Sequence, residues 1–347
     1  MLCGSILLAW IIRQSEKEAD KRHVYRAMLA VIALYLLNPV NLYASSQHNF
    51  SEIWGQFFLI VSLSAWVFYL QSDRVFISRI LLFVSVALLA ATDWMGLTFM
   101  AALILVYFRQ MKKAHIRYGV FLVSASVVVT MSIICLQYVS IAGSDALIRS
   151  LGIRYLERSG FFGGQYTDMG YDVLNPETWF LLLQQIHNVM DGTGYIVLAL
   201  FVVCLVAARK ICTPVDLSVQ KIAFWTALLF FVAVLSASSI HYIYTARFTP
   251  FLALAGAALF AKISSSGRKI VLIIAVAVFL MHVAAFRSVA EFQKRIPETD
   301  EKQAQLNAAA QIIRENKLDS IPLTGNLVES DIIYLSYKSQ RNLVWEK

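Results

Sequence analysis

Charged residues are scarce in this chain. Asp, Glu, Lys and Arg make up 15% of the 347 residues, while 59% are hydrophobic. Because a soluble domain has about a quarter of its residues charged, the composition excludes an ordinary soluble domain. The longer apolar runs have about 17 to 25 residues, the length that a helix needs to cross a hydrocarbon core of about 30 Å. The sequence therefore predicts an all-α polytopic membrane protein.

Cysteine is also scarce, with four in the chain. No two of them have C-x-x-C spacing, and three lie within or beside apolar runs. We interpret them as small buried residues without a disulfide or metal role. The acidic and histidine residues show no diagnostic metal-ligand spacing either. The sequence thus identifies no cofactor and leaves a divalent metal open.

The apolar runs predict about ten transmembrane helices. They cover residues 1–12, 27–43, 54–70, 77–91, 95–108, 118–141, 193–208, 222–238, 245–261 and 270–286. The first run is short and has no signal peptide around it. The N-terminus of this run is predicted to face the outer side of the membrane, and we therefore expect that earlier spans precede Met1.

The positive charges alternate between the two sides of the predicted membrane domain. Lys and Arg concentrate in the loops at 13–26, 74–79, 109–117, 209–221 and 262–269. The opposite loops contain only Arg149, Arg154, Arg158 and Arg247. By the positive-inside rule, the first set of loops is cytoplasmic. We therefore expect the protein to lie in the inner or plasma membrane of the cell. The net charge of +8 is spread over these short loops and does not indicate nucleic-acid binding.

The C-terminal segment differs from the predicted membrane domain, 1–286. Residues 287–347 have a soluble composition and fall on the extracytoplasmic side. The pattern predicts an amphipathic helix at 300–316, with Leu306, Ala309, Ile312 and Ile313 on one face. Strands near 320–324 and 342–345 and a helix near 329–338 would complete a small α/β unit.

Two carboxylates stand at predicted outer helix ends. Glu52 comes directly before a span, in SSQHNFSEIWG, and Asp93 lies in the tight turn TDWMG beside Trp94. Helix capping would explain either residue. An ionisable group this close to the bilayer is also a candidate for function, and a carboxylate there can take up a proton.

Cationic and aromatic residues recur on the same predicted side. The outer loop at 142–192 carries Arg149, Arg154 and Arg158 on a predicted interfacial helix, where arginine can bind phosphate or anionic lipid. The stretch SSIHYIYTARFTP contains the candidates His241, Tyr244 and Arg247. An aromatic belt at the membrane interface explains the tyrosines, but not the His and Arg beside them.

In this order, these features resemble the C-type membrane glycosyltransferases, which include protein O-mannosyltransferases and lipid A aminoarabinose transferases. The resemblance rests on NPVNLYASSQHNFSEIWGQFFLIVSLSAWVFYL, on TDWMG, on SSIHYIYTARFTPFLALAGAALFA and on the outward C-terminal segment. It covers nearly the whole chain.

The resemblance implies an inverting transfer of a sugar from a polyprenyl-phosphate donor to a lipid, glycan or protein acceptor outside the membrane. It implies acidic roles for Glu52 and Asp93. Phosphate-binding roles fall to Arg154, Arg158, His241, Tyr244 and Arg247. In that family the main catalytic acid lies on the first outer loop, and this sequence begins beyond the matching point, so we expect an N-terminally truncated relative.

Other functions remain open at this point. A transporter or flippase of lipid-linked sugars would place ionisable or helix-breaking residues in mid-span, and the span centres here are nearly clean. An assembly subunit without its own chemistry would tolerate the loss of Asp93, Glu52 or His241. A polymerase or ligase of envelope polysaccharide would differ only in its product.

Overall fold

The computed structural model describes residues 1–15, 21–36, 38, 41, 50–148, 152, 154–160, 173–181, 183, 214–240, 242–264, 304–313, 315, 320–322 and 344–346. The chain forms two compact units, Met1–Ala285 and Phe286–Lys347. The sequence had placed this boundary after residue 286.

The first unit is helical. In chain order its helices are α1 (Leu2–Ser15), α2 (Lys21–Leu36), α3 (Phe50–Gln71), α4 (Val75–Thr92), α5 (Met95–Tyr107), α6 (Ala114–Leu147), α7 (Arg154–Ser159), α8 (Pro214–Ala233), α9 (Leu235–Ile240) and α10 (Thr249–Ser264). Short 3₁₀ segments follow α5 at Phe108–Gln110 and precede α10 at Tyr242–Phe248.

Three of these helices are long and apolar enough to cross a membrane, at Ile53–Gln71, Val75–Thr92 and Ala114–Asp145. They correspond to the predicted spans 54–70, 77–91 and 118–141. Shorter apolar helices occupy Leu2–Ser15, Met95–Gln110 and Leu217–Ala233. The helical membrane architecture thus agrees with the sequence, whereas the count of ten spans is not confirmed. The predicted spans 193–208 and 270–286 lie outside the described residues.

Several helix ends differ from the predicted spans for local reasons. The span 27–43 begins earlier, at Lys21, and α2 ends at Leu36. The next proline, Pro39, disfavours helical backbone at the residue before it. The span 245–261 becomes a helix only at Thr249, where Pro250 falls in the first turn and has no amide hydrogen to leave unsatisfied. The span 222–238 is divided between α8 and α9.

The core of the first unit is built from apolar and aromatic side chains between these helices. Helix α2 packs on α10 and α1, α4 packs on α3 and α6, and α8 packs on α5. The largest fully buried side chains include Trp66, Tyr35, Phe99, Phe231 and Phe251. By contrast, α4 and α6 expose large apolar residues along much of their length, as expected of helices solvated by lipid.

The second unit has a helical segment at 304–313 and two short strands, β1 (Ser320–Pro322) and β2 (Val344–Glu346). The strands pair in parallel, with Ser320 opposite Val344. On the helix, Leu306, Ala310 and Ile313 are buried, because residues at i, i+4 and i+7 share one face. The prediction that Ile312 joins this face is wrong, since Ile312 is 55% exposed. The predicted helix at 329–338 lies outside the described residues.

Candidate functional site

A tight turn between α4 and α5 carries Asp93. The backbone of Asp93 is extended, its amide donates to the Leu89 carbonyl oxygen, and this bond ends α4. Helix α5 then returns so closely that a Cβ on Gly96 would lie 2.6 Å from Cα of Ala90. Because only glycine permits this approach, the turn is compact and holds the Asp93 backbone in place.

The Asp93 carboxylate forms an ion pair with Arg247. Oδ2 of Asp93 accepts a hydrogen bond from Nη2 of Arg247, and the two side chains are 12% and 4% exposed. The N-cap residue of α5 is Trp94, whose side chain forms no capping hydrogen bond, and Asp93 directs its carboxylate to Arg247 instead. Helix capping, which the sequence left open for Asp93, is therefore not the role of this carboxylate in the structure.

Helix α3 packs against the same carboxylate. A Cβ added to Gly55 would lie 2.9 Å from Oδ2 of Asp93 and 3.2 Å from its Cβ. A real Cβ atom does not come within 3 Å of another heavy atom unless something moves, so the glycine makes room for Asp93. The ion pair is thus bounded by the backbone of α3 on one side.

Two aromatic rings surround the Arg247 guanidinium. Its Cζ lies 3.9 Å from the centre of the Phe230 ring and 4.6 Å from that of Tyr244, which are favourable cation–π distances. Its Nε and Nη1 atoms are buried and have no hydrogen-bond partner among the described residues. Because buried donors are normally satisfied, Arg247 retains the capacity to bind an oxyanion.

A buried polar cluster lies next to the ion pair, formed by Asn41, Gln56 and Thr249. Nε2 of Gln56 donates to Oδ1 of Asn41 at 2.9 Å and approaches Oγ1 of Thr249. Nδ2 of Asn41 donates to the Tyr35 carbonyl oxygen at 2.8 Å. The cluster connects α3, the start of α10 and the chain that follows α2.

Two adjoining cavities open at this end of the helices. A small one of about 170 Å³ is lined by Asp93, Arg158, Tyr244 and Arg247, together with Thr92, Trp94, Phe230 and Val234. A larger one of about 770 Å³ is mainly apolar and lies between α4, α5, α6 and α8. Both share the wall formed by residues 92–94 and by Phe230 and Val234. A polar, cationic pocket therefore borders an apolar groove.

The short helix α7 is attached to this site by an aromatic stack. The rings of Trp94 and Tyr155 have centroids 4.9 Å apart and an interplanar angle of 26°. Arg158, one turn further along α7, lines the small cavity. The long helix α6, which precedes α7, has a kink near its end at Gly143, whose φ of 84° favours glycine.

The structure brings together four of the seven residues that the sequence predicted for the site: Asp93, Arg158, Tyr244 and Arg247. It does not test the others. Glu52 lies in α3 and Arg154 begins α7, but their side chains are outside the described part of the chain, as is the whole of His241. Within the described ranges there is no group of three or more His, Cys, Asp or Glu residues that could hold a metal ion.

The residues that sequence reasoning missed are Asn41, Gln56, Thr249 and Phe230. A signal was present for Gln56, because a polar side chain at the start of a long apolar run must find a hydrogen-bond partner when it is buried. No such signal marks Phe230, one of many aromatic residues in its helix.

Comparisons with protein-family models, with characterised proteins and with solved structures find no match to this chain. The resemblance to C-type membrane glycosyltransferases therefore stays a prediction from the sequence. The chemical capacity of the site rests on its own geometry: a partly unsatisfied buried arginine, a second cation, a carboxylate and an apolar groove.

Proposed function

We propose that the chain is a glycosyltransferase. It would move a sugar from a polyprenyl-phosphate donor to an acceptor on the extracytoplasmic face of the inner or plasma membrane. The observation that carries this proposal is the buried Arg247, whose Nε and Nη1 lack partners among the described residues. Arg158 lines the same small cavity, and the apolar groove adjoins it. Two arginine side chains beside an apolar groove can bind an amphiphile that has an anionic headgroup.

The two cavities could bind different parts of the donor, the hydrocarbon chain in the larger one and the phosphate in the smaller one. A groove of about 770 Å³ falls in the range of pockets that bury small organic ligands, about 300 to 1,000 Å³. It would take the first isoprene units, while the rest of the chain remains in lipid. The small cavity would take the phosphate, which arginine binds by charge-assisted hydrogen bonds.

The chemistry requires a base and a stabilised leaving group. A carboxylate removes the proton of an acceptor hydroxyl, and the hydroxyl oxygen attacks the anomeric carbon of the sugar. The bond from that carbon to the phosphate oxygen breaks, and the lipid phosphate leaves with the electron pair of that bond. The positive charges of the two arginines stabilise the leaving phosphate. Asp93 uses Oδ2 for Arg247, so Oδ1 is its candidate basic atom, and Glu52 is the second candidate base.

Deletion of the gene in its native host tests the proposal. We expect a polyprenyl-phosphate sugar to accumulate with its sugar on the outer face, and one outer acceptor to lose that sugar, both measured by mass spectrometry. Arg247→Met should fail to restore the transfer, whereas Arg74→Met, at an exposed arginine between α3 and α4, should restore it.

The sidedness of the accumulated lipid separates this function from transport. Periodate, which does not cross the intact membrane, should oxidise the accumulated sugar if transfer is lost. Accumulation on the inner face only would instead identify a flippase and contradict the proposal. Unchanged lipid-linked sugars would favour an assembly subunit.

A further inference from the structure

The carbonyl group that precedes Arg247 is held by two side chains. Nε2 of Gln56 donates to the Ala246 oxygen at 2.8 Å, and Oγ1 of Thr249 lies 2.8 Å from the same oxygen. This carbonyl belongs to the peptide unit that includes the Arg247 nitrogen. Because the peptide unit is planar, fixing its oxygen also fixes the direction in which the Arg247 backbone continues.

The cluster that provides these bonds is almost inaccessible to solvent. Asn41, Gln56 and Thr249 are 1%, 3% and 1% exposed. Oγ1 of Thr249 lies 3.0 Å from Oδ1 of Asn41. The two amide hydrogens of Gln56 go to Oδ1 of Asn41 and to the Ala246 oxygen. The single hydroxyl hydrogen of Thr249 goes to one of these two oxygens. Buried hydrogen bonds of this kind restrict the movement of the side chains that form them.

The two residues Gly55 and Gln56 therefore act on both partners of the ion pair. Gly55 packs against the Asp93 carboxylate, while Gln56 holds the segment that carries Arg247. Gly55 and Gln56 are adjacent in α3, so one short part of this helix contacts both sides of the ion pair. The polar cluster itself does not line either cavity.

We infer that Gln56 and Thr249 are positioning residues, which orient Arg247 toward the phosphate of the donor without touching the donor. This inference rests on the proposed function, because it takes the ligand of Arg247 to be a lipid phosphate. It assigns the specificity for the phosphate group to a buried network, and the affinity for the hydrocarbon chain to the separate apolar groove.

Binding of two matched probes tests the inference. The full chain is purified into nanodiscs of zwitterionic lipid, and the dissociation constants of a polyprenyl phosphate and of the corresponding polyprenol are measured. The wild type should prefer the phosphate. Thr249→Val, which keeps the shape and removes the hydroxyl, should weaken phosphate binding about tenfold, the effect of one misplaced charge-assisted hydrogen bond. Its affinity for polyprenol should not change.

Three variants complete the test. Gln56→Met should have the same selective effect as Thr249→Val and replaces it if the valine variant does not fold. Thr249→Ser keeps the hydroxyl and should retain the wild-type preference. Thr226→Val is the control, because Thr226 is a fully buried threonine of α8 that bonds only within its helix, to the Ile222 carbonyl oxygen.

The outcomes separate the inference from the proposed function. A wild type that binds both probes equally overturns the phosphate site and with it the proposed function. If the wild type prefers the phosphate but Thr249→Val and Gln56→Met keep that preference, the inference alone is overturned. Equal losses of affinity for both probes would show that Gln56 and Thr249 have a general structural role. That result would also overturn the inference.

Discussion

Asp93 and Arg247 are 154 positions apart in the sequence, and their side chains form a largely buried ion pair. The pair joins the α4–α5 turn to the segment before α10. Removal of one partner from a buried pair leaves an uncompensated charge, which costs about 3 to 5 kcal/mol. The ion pair is therefore both part of the candidate site and a determinant of stability.

Replacement of Asp93 by Asn should lower the stability of the protein as well as its activity. From the sequence alone we predict that Asp93→Asn abolishes transfer at an unchanged protein level. The ion pair changes the second half of that prediction, because Arg247 would stay buried without its counterion. We expect a loss of about 3 kcal/mol, measured as a lower unfolding temperature in detergent.

The double variant Asp93→Asn, Arg247→Gln removes both charges and should recover most of the lost stability without recovering transfer. Asp73→Asn, at an exposed aspartate between α3 and α4, is the control and should unfold like the wild type. An Asp93→Asn protein with wild-type stability would show that the ion pair contributes little.

Only part of this site could be predicted from the sequence. Asp93, Arg158, Tyr244 and Arg247 stood out because ionisable and polar residues are rare in such an apolar chain. Their pairing could not be predicted, since a contact between α4–α5 and the start of α10 depends on how separate helices pack. The apolar runs gave the approximate positions of the helices, but the division between α8 and α9 has no clear mark in the sequence.

Substitution of Gly55 by alanine should displace the Asp93 carboxylate. The added Cβ would lie 2.9 Å from Oδ2 of Asp93, and such overpacking costs about 1 to 3 kcal/mol. We expect reduced thermal stability and weaker transfer. Gly152→Ala is the matched control, because none of the described residues lies within 4 Å of a Cβ at that position. Its effect should stay within about 0.5 kcal/mol. Equal stability of the two variants would contradict the observed packing.

Arg158 should contribute to anion binding but not to stability. Its side chain is exposed and lines the small cavity, so its charge is partly screened by salt. We expect Arg158→Ala to weaken polyprenyl-phosphate binding about three- to tenfold at low ionic strength, in line with one exposed charge pair. High salt should reduce the difference from the wild type.

The control for Arg158→Ala is Arg74→Ala, which removes another exposed charge, between α3 and α4. Both variants should unfold at the wild-type temperature. Similar losses of binding in the two variants would mean that Arg158 acts only through the overall charge of the protein.

Filling the apolar groove should block the lipid chain and leave the ion pair in place. Ala101 lines the groove, so Ala101→Trp would occupy the space that we propose for the isoprene units of the donor. We expect the affinities for polyprenyl phosphate and for polyprenol to fall together, unlike the effect of Thr249→Val. Leu105→Trp, one turn along α5 at a position 53% exposed, should bind both probes normally. Unchanged binding by Ala101→Trp would place the lipid chain elsewhere.

The separation of Asp93 and Arg247 in the sequence also affects the protein while it is being made. Asp93 leaves the ribosome long before Arg247, and helices enter the bilayer before they associate. During that interval the nascent chain has a carboxylate near the membrane without its buried counterion, a costly state. A polypeptide that stops before residue 247 lacks the arginine that neutralises this acid in the finished protein.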